Sequence, residues 1–272
     1  MEMTLITSLN QKAKQTRKDI LEMIAAAASG HPGGSLSATD IIVTLYYHKM
    51  NHNPKNPKWP DRDRFVLSKG HCCPALYSVL ARSGYFPVSK LNGLRKIGSM
   101  LQGHPNMKST PGIEMSTGSL GQGLSVANGI ALAGKLDKKS YNVYCMVGCG
   151  ESQEGQIWEA AMTAAHYKLD NIIGIQDNNR LQIDGFTDCV KCIDPITEKW
   201  RAFGWHAIEI NGHDFNEIIA ALDEADKIKN KPTMIVANTI KGKGISFMED
   251  KVGWHGKAPS KEQLKEALEE LR

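Results

Sequence analysis

The sequence predicts an α/β fold in which a parallel sheet is flanked by helices. Short apolar runs typical of buried strands occur at 65–67, 144–147, 205–210 and 233–239, and a further run precedes Asp177. Segments whose apolar residues recur at helical spacing lie between these runs. A helix between successive strands implies right-handed crossovers, and therefore a parallel sheet.

The first part of the chain predicts helices around one strand. Helical spacing over 8–29 predicts a helix that ends at Gly30, and the segment HPGG, 31–34, predicts a rigid loop before a second helix over 39–50. A proline-rich connection leads to the strand at 65–67, and a helix follows over 74–82. The segment TGSLGQG, 117–123, opens a long helix through Ala133, and its three glycines indicate close approach of the backbone.

The central stretch, 148–185, predicts a tight turn, a helix, a strand and a second turn. Gly148 and Gly150 allow the backbone to turn sharply beside a ligand. Both turns follow parallel strands, and open α/β sheets bind ligands at the carboxyl ends of their strands. Amide groups in such turns suit a diphosphate. One stripe of the intervening helix should pack on the sheet: Ile157, Trp158, Ala161, Met162 and Ala165.

The second turn carries oxygen donors suited to a hard cation. Asn179 offers a side-chain amide oxygen, and Leu181 could offer its backbone carbonyl. Oxygen donors are what Mg²⁺ or Ca²⁺ select. A glycine turn alone is a weak signal, because a plain connection between strand and helix has the same pattern.

The last part of the chain predicts two further strands with helices around them. A helix over 197–203 precedes the strand at 205–210, and Asp214 should cap a helix that continues to about Lys229. The strand at 233–239 ends on Lys241-Gly242-Lys243-Gly244, which we expect to be a solvated turn, although its lysines would favour an anionic ligand. A helix over 260–272 should dock the tail.

Composition favours a soluble protein of the cytoplasm. The 272 residues can form a substantial core, and we expect residues 1–272 to form a single domain. The net charge of +4 is spread over 33 basic and 29 acidic residues, which gives no electrostatic reason to expect a nucleic-acid partner. Asp19 and Glu22 interrupt the apolar part of a segment that otherwise resembles a signal peptide, and no run is long enough to span a membrane.

The six cysteines do not predict a disulfide scaffold in a chain of this length. Cys72 and Cys73 are adjacent, and Cys145 lies in an apolar strand. Cys189 and Cys192 form one CxxC pair, but a structural zinc site needs about four ligands and no second pair follows. We therefore expect an incidental loop pair in a reducing compartment, with a zinc or redox role as the alternative.

Several motifs together resemble the transketolase family. That family's thiamine diphosphate motif has GDG followed by an asparagine. The segment GCGESQEGQIWEA is similar to it, and the last asparagine of QDNN follows about thirty residues after its first glycine. ASGHPGGSLSATD, SKGH, LQGHPN, TGSLGQG and WHG extend the resemblance from about Leu9 to His255. The resemblance implies the thiamine diphosphate-binding fold of the diphosphate (PP) domain, with thiamine diphosphate and Mg²⁺ (or Ca²⁺) as cofactors.

The resemblance also implies roles for individual residues. His31, His104 and His255 would exchange protons with sugar hydroxyls, since imidazole titrates near working pH. Glu154 and Glu159 would join a carboxylate network between two active sites, with ordinary solvated charges as the alternative. The implied cofactor-binding residues are His71, Gly118, Ser119, Leu120, Gly150, Glu154, Glu159, Asn179 and His255, and the implied metal ligands are Asn179 and Leu181.

One position departs from the family pattern. The middle residue of the GDG motif is a metal-ligating aspartate, and this chain has Cys149 there. A thiol is a soft and mostly neutral ligand at pH 7, so it is poorly suited to Mg²⁺. Three outcomes are open: Cys149 is tolerated, water and diphosphate oxygens replace the carboxylate, or the cysteine disables the site.

The resemblance ends before the family's pyrimidine-binding and carboxyl-terminal domains, which hold the activating glutamate. It therefore implies the N-terminal subunit of a split transketolase, joined to a separately encoded chain with the pyrimidine domain in an α2β2 heterotetramer. The implied reaction transfers a two-carbon ketol group from a ketose to an aldose, both usually phosphates, as in the pentose phosphate pathway. The alternatives are a non-catalytic regulatory paralogue and a transketolase for a sulfonated sugar. A deoxyxylulose phosphate synthase is disfavoured by HPGG and LQGHPN.

Overall fold

The structure, a computed structural model, describes residues 2–272. The strands of its central sheet are β1 (Arg64–Leu67), β2 (Val143–Gly148), β3 (Ile172–Asn178), β6 (His206–Asn211) and β7 (Thr233–Asn238). They are all parallel and lie in the order β1-β2-β3-β7-β6, so the predicted parallel sheet is confirmed. A short antiparallel pair, β4 (Leu181–Gln182) and β5 (Gly185–Phe186), forms the second turn.

Helices cover both faces of the sheet, and short helical turns lie at Leu45–Lys49, Gly70–Cys72, Val88–Gly93, Glu151–Gln153 and Val252–Trp254. The helices are α1 (Glu2–Ala27), α2 (Pro32–Ser37), α3 (Thr39–Thr44), α4 (Cys73–Ser83), α5 (Gln122–Leu136), α6 (Gly155–His166), α7 (Thr187–Val190), α8 (Ile196–Ala202), α9 (Phe215–Ala225) and α10 (Lys261–Glu270).

Two separate apolar cores lie on the two faces. Along β2, Tyr144 and Met146 pack into the core that α1 to α4, α9 and α10 cover. Cys145 and Val147 pack into the opposite core, under α5, α6 and α8. Alternate residues of a strand point to opposite faces, so strands buried on both sides are almost continuously apolar. This is why the apolar runs located the strands correctly.

The pairing of β2 with β3 brings the two predicted turns to one edge. Gly148 lies opposite Asp177, and Asn178 lies opposite Asn238 of β7. The carboxyl ends of β2, β3 and β7 therefore finish at the same level. The loops that follow them form the floor of a single cleft.

The prediction of a loop at HPGG was wrong, because α2 begins at Pro32. Proline suits the first helical position, where its missing N–H is not needed. The glycines serve close packing: a Cβ on Gly34 would meet the Cys72 Sγ at 2.7 Å. The helix predicted over 39–50 is α3 followed by a π-helical turn, Leu45–Lys49.

The predicted stripe on α6 was also wrong in part. The buried face consists of Ile157, Ala160, Ala161 and Ala164, whereas Met162 is 55% exposed. Trp158 packs sideways, with its ring centroid 5.0 Å from that of Trp200 on α8. The large indole packs against the neighbouring helix, so the small alanines face the sheet.

Smaller differences concern the carboxyl-terminal half. Asp214 caps α9 as predicted, accepting from the Asn216 amide at 2.8 Å, but the helix ends at Ala225 rather than near Lys229. The CxxC pair, which we expected in a loop, is divided by the structure: Cys189 lies in α7 and Cys192 lies beyond its end. No helix in residues 2–272 combines the length and the apolar character that a membrane span requires.

Candidate functional site

A cleft of about 360 Å³ lies at the carboxyl edge of the sheet. Pockets of this size are typical for small-molecule ligands. It is lined by loops that follow β1, β2, β3 and β7 and by the loops before α2 and α5. The lining includes His31, Lys69, His71, His104, Gly118, Leu120, Cys149, Gly150, Glu151, Glu154, Asn179, Leu181, Ile183, Lys241 and His255.

Four histidines from remote parts of the sequence meet in this cleft. The ring centroid of His31 lies 5.2 Å from that of His71, 6.5 Å from His104 and 5.5 Å from His255. His71 and His255 stack with their centroids 5.4 Å apart. The structure therefore brings together the histidines that the sequence singled out.

The environment keeps these imidazoles neutral at pH 7. Burial and the Arg95 guanidinium lower the pKa of His31 to about 4, and burial and the Lys241 ammonium lower the pKa of His255 to about 3. Burial and Lys69 hold the pKa of His71 well below its usual range, and burial and Arg95 lower the pKa of His104. A neutral imidazole has one donor and one acceptor nitrogen, so it can relay a proton between hydroxyls.

A buried ion pair lies beneath the histidines. The Lys69 ammonium pairs with the Asp177 carboxylate, and both side chains are buried. Asp177 also accepts hydrogen bonds from the hydroxyls of Ser37 (2.7 Å) and Thr239, and from the Asn179 amide (2.9 Å). Burial alone would raise the pKa of Asp177, but the Lys69 ammonium and the hydrogen bonds lower it. Sequence analysis missed this pair, although an aspartate near the carboxyl end of a buried apolar strand is itself a signal.

The prediction that the KGKG turn is solvated was wrong for Lys241. This side chain is buried, with only 2% of the residue exposed. Its ammonium donates to the Leu181 carbonyl at 2.8 Å and to the His255 Nδ1 at 2.8 Å. Burial and the Lys69 ammonium lower its pKa to about 8. A desolvated cation therefore forms part of the cleft wall.

Cys149 lies buried between the two turns. Its thiol donates to the Asn179 Oδ1 at 3.6 Å, and the same oxygen accepts from the Leu181 amide at 3.1 Å. Burial and the Asp177 carboxylate raise the pKa of the Cys149 thiol. At the implied Mg²⁺ or Ca²⁺ position, the thiol of Cys149 is neutral and the amide oxygen of Asn179 already accepts from two donors. The Leu181 carbonyl accepts from the Lys241 ammonium. Hard cations prefer freely available oxygen ligands, so this set does not fit such an ion.

Glu151 joins the loops around the cleft. Its buried carboxylate accepts from the Ser68 hydroxyl after β1, from the Gly121 amide before α5 at 2.9 Å and from the Gly148 amide at 3.0 Å. Burial raises the pKa of this carboxyl. Sequence analysis missed this role, because the partners come from distant segments.

The remaining predicted residues fall at different places. Gly118, Leu120 and Gly150 line the cleft, and Ser119 lines a small neighbouring pocket with Gly118. Glu154 lies exposed at the rim, whereas Glu159 is exposed on α6 and does not line the cleft. Both members of the CxxC pair are exposed and form no disulfide.

The chain is similar to known proteins over nearly its whole length. Residues 9–271 match the family described as "Transketolase, thiamine diphosphate binding domain". The chain is 49% identical to the 6-deoxy-6-sulfo-D-fructose transketolase subunit SqwG of Clostridium sp. (strain MSTE9), over 97% of this chain and 96% of that protein. It is 42% identical to one subunit of the apulose-4-phosphate transketolase of Phocaeicola vulgatus, over 98% and 94% of the two chains.

Solved structures show the same fold. The transketolase from Campylobacter jejuni superposes with a TM-score of 0.92 at 38% identity, over 97% of this chain. The transketolase from Leishmania mexicana superposes with a TM-score of 0.91 at 32% identity. This chain spans 42% and 41% of those two longer chains.

Proposed function

This chain belongs to the transketolase, thiamine diphosphate binding domain family, and we propose that it forms the diphosphate-binding subunit of a two-chain transketolase. The observation that carries the proposal is the match over nearly full length to proteins that are themselves named transketolase subunits. The partner would be a separate chain with the pyrimidine-binding domain, in an α2β2 heterotetramer within the cytoplasm. Residues 1–272 would then act as one domain.

The cleft supports binding of the diphosphate end of the cofactor. His71, His255 and the Lys241 ammonium line one wall, and the amide of Gly150 lies at the glycine turn. Cationic and N–H groups of this kind suit a diphosphate. When bound, thiamine diphosphate supplies an electron sink for cleavage of a carbon–carbon bond, and the protein contributes position and proton transfer.

The histidines support proton transfer to and from a sugar. The neutral imidazole of His104 can accept a proton from one hydroxyl and donate to another. His255, whose Nδ1 accepts from the Lys241 ammonium, and His31, whose Nδ1 faces the Arg95 guanidinium at 3.5 Å, can each offer an Nε2–H to a sugar oxygen. The ring centroids of His104 and His255 lie within 6.5 Å of that of His31, so one sugar chain can contact all three. This assembled cluster disfavours the alternative of a purely regulatory paralogue.

The substrate class would be an anionic ketose with an aldose acceptor. One relative is named for a sulfonated sugar and another for a phosphorylated sugar, and each of these sugars has an anionic end. Arg95 supports this class, since its guanidinium lies beside His31 with an Nη2–Nδ1 distance of 3.5 Å. Sugar phosphates are our first choice, and a sulfonated ketose is the second.

The rim of the cleft supports contact with a partner chain. Leu120 and Ile183 line the cleft and are nonetheless exposed, and Phe186 and Val190 are exposed on the adjacent segment. Apolar patches on a protein surface often mark interaction sites. Glu154 and Glu159 are exposed on the segment that contains α6, where the carboxylate network between active sites would need them.

Reconstitution tests the proposal. Ketol transfer from fructose 6-phosphate, or from 6-deoxy-6-sulfo-D-fructose, is measured for the chain alone, for the pyrimidine-domain chain alone and for the mixture. We expect turnover only in the mixture. His104→Asn should lower kcat by about 10²–10⁴-fold without preventing co-elution of the two chains. Robust turnover by the isolated chain would contradict the two-chain proposal.

A further inference from the structure

The three groups that the sequence motif assigns to a divalent ion are engaged in other contacts. The Leu181 carbonyl accepts from the Lys241 ammonium at 2.8 Å. The Asn179 Oδ1 accepts from the Leu181 amide and from the Cys149 thiol. The Asn179 Nδ2 donates to Asp177 at 2.9 Å, which fixes the orientation of the amide. An incoming ion would meet an amide oxygen that already accepts two hydrogen bonds and a carbonyl that already contacts a cation.

The chemistry of the third position also disfavours Mg²⁺ and Ca²⁺. These ions take oxygen ligands, and Mg²⁺ demands near-ideal octahedral geometry at about 2.0–2.1 Å. Sulfur is a soft ligand that suits other metals. With Cys149 in place of a carboxylate, the site has lost the anionic ligand that would attract a hard cation.

The Lys241 ammonium already occupies this wall of the cleft. Among the described residues, its partners are the Leu181 carbonyl and an imidazole, with no carboxylate within salt-bridge distance. The nearby Asp177 carboxylate is paired with Lys69. A buried cation without an anionic partner is costly. A bound anion would relieve this cost.

A neutral thiol at position 149 adds no negative charge to this wall of the cleft, so the Lys241 ammonium supplies a positive charge for the diphosphate without a metal ion. We propose that this chain holds the diphosphate through the Lys241 ammonium in place of a divalent metal ion, so that cofactor binding does not depend on Mg²⁺ or Ca²⁺. The inference rests on the proposed function, because it concerns the same diphosphate site.

The test measures binding by titration calorimetry, with inorganic pyrophosphate on the chain alone and thiamine diphosphate on the two-chain complex. Each titration is run in excess EDTA and again with Mg²⁺. We expect dissociation constants that agree within about threefold between the two conditions, a difference below about 0.7 kcal/mol. Binding that is lost in EDTA and restored by Mg²⁺ overturns the inference, and so does an absence of binding in both.

Two lysine variants of the same turn provide the matched comparison. Lys241→Met should weaken binding by about tenfold or more, as expected for loss of a charged hydrogen bond, and Mg²⁺ should not restore it. Lys243→Met removes an equal charge from a partly exposed side chain that pairs with Glu249, and it should leave binding unchanged. Equal losses in both variants would overturn the assignment to Lys241.

The reverse substitution tests the role of the thiol. Cys149→Asp restores a hard anionic ligand, and its binding should become tighter with Mg²⁺ than in EDTA by about tenfold or more. A failure of the two chains to co-elute would count against the proposed function alone, because the pyrophosphate titration requires no partner. Wild-type binding that requires Mg²⁺ in a complex that does assemble would count against this inference alone.

Discussion

The buried pair of Lys69 and Asp177 should be a main source of stability at the sheet edge. The substitution Lys69→Met removes the ammonium while keeping most of the volume of the side chain. Asp177 would then remain a buried carboxylate whose partners are the hydroxyls of Ser37 and Thr239 and the Asn179 amide. Neutral donors stabilise a carboxylate less than an ammonium does, so the charge would be left largely uncompensated.

The size of the effect follows from the burial of both partners. Breaking a buried ion pair by removing one partner costs about 3–5 kcal/mol. An unfolding entropy of about 2.1 cal/mol/K per residue, over 272 residues, corresponds to about 0.57 kcal/mol/K. The melting temperature should therefore fall by about 5–9 °C.

Urea and thermal unfolding followed by circular dichroism measure this loss. Lys69→Met combined with Asp177→Asn removes both charges and should recover part of the stability. In the single variant, the pKa of Asp177 should rise above its unfolded value, so the stability deficit should shrink as the pH falls toward 4. A loss below about 1 kcal/mol at pH 7 would refute the reasoning, since the neutral donors would then suffice.

Two further predictions concern packing and protonation. Gly123→Ala should lower the free energy of unfolding by about 1–3 kcal/mol, because the added Cβ would lie 2.7 Å from the Ser68 Cα. Gly129→Ala on the same helix is the control: its Cβ meets nothing within 4 Å, and it should raise the free energy of unfolding by about 0.5–1 kcal/mol. Urea midpoints that shift in the same direction for both variants would contradict this. In the folded chain, the pKa is about 4 for His31 and about 3 for His255, below the usual 6.5. The unfolded chain therefore binds more protons than the folded one below pH 6.5, and the free energy of unfolding should fall as the pH drops from about 6.5 toward 4. His31→Gln should flatten this dependence in urea unfolding between pH 4 and 6, and an unchanged slope would show that His31 does not stay neutral in the fold.

The strands and the family were predictable from sequence, because both depend on local patterns. A strand buried on both faces is an apolar run, and the motifs around the glycine turns are contiguous. The predicted family is confirmed by the matching domain and the relatives. The stripe on α6 was misplaced because helical periodicity does not say whether a large side chain such as Trp158 faces the sheet or a neighbouring helix.

Predictions for the site failed where the environment of a residue comes from remote segments. Lys241 has the same local sequence as Lys243, and only the fold shows that one is buried against Leu181 and the other partly exposed. Asp177 and Lys69 are 108 positions apart, so no local pattern reveals their pairing. The roles predicted for the four histidines remain predictions, although the resemblance to the transketolase family implied that they would meet in one site.

The Glu151 carboxylate makes three loops mechanically dependent on one another. Since Ser68, Gly121 and Gly148 share this acceptor, a change in the length of any of the three loops would pull on the other two. Insertions and deletions should therefore accumulate elsewhere on the molecule. Over evolutionary time, the base of the cleft would be inherited as a unit, while new substrate preferences arise along its outer margin.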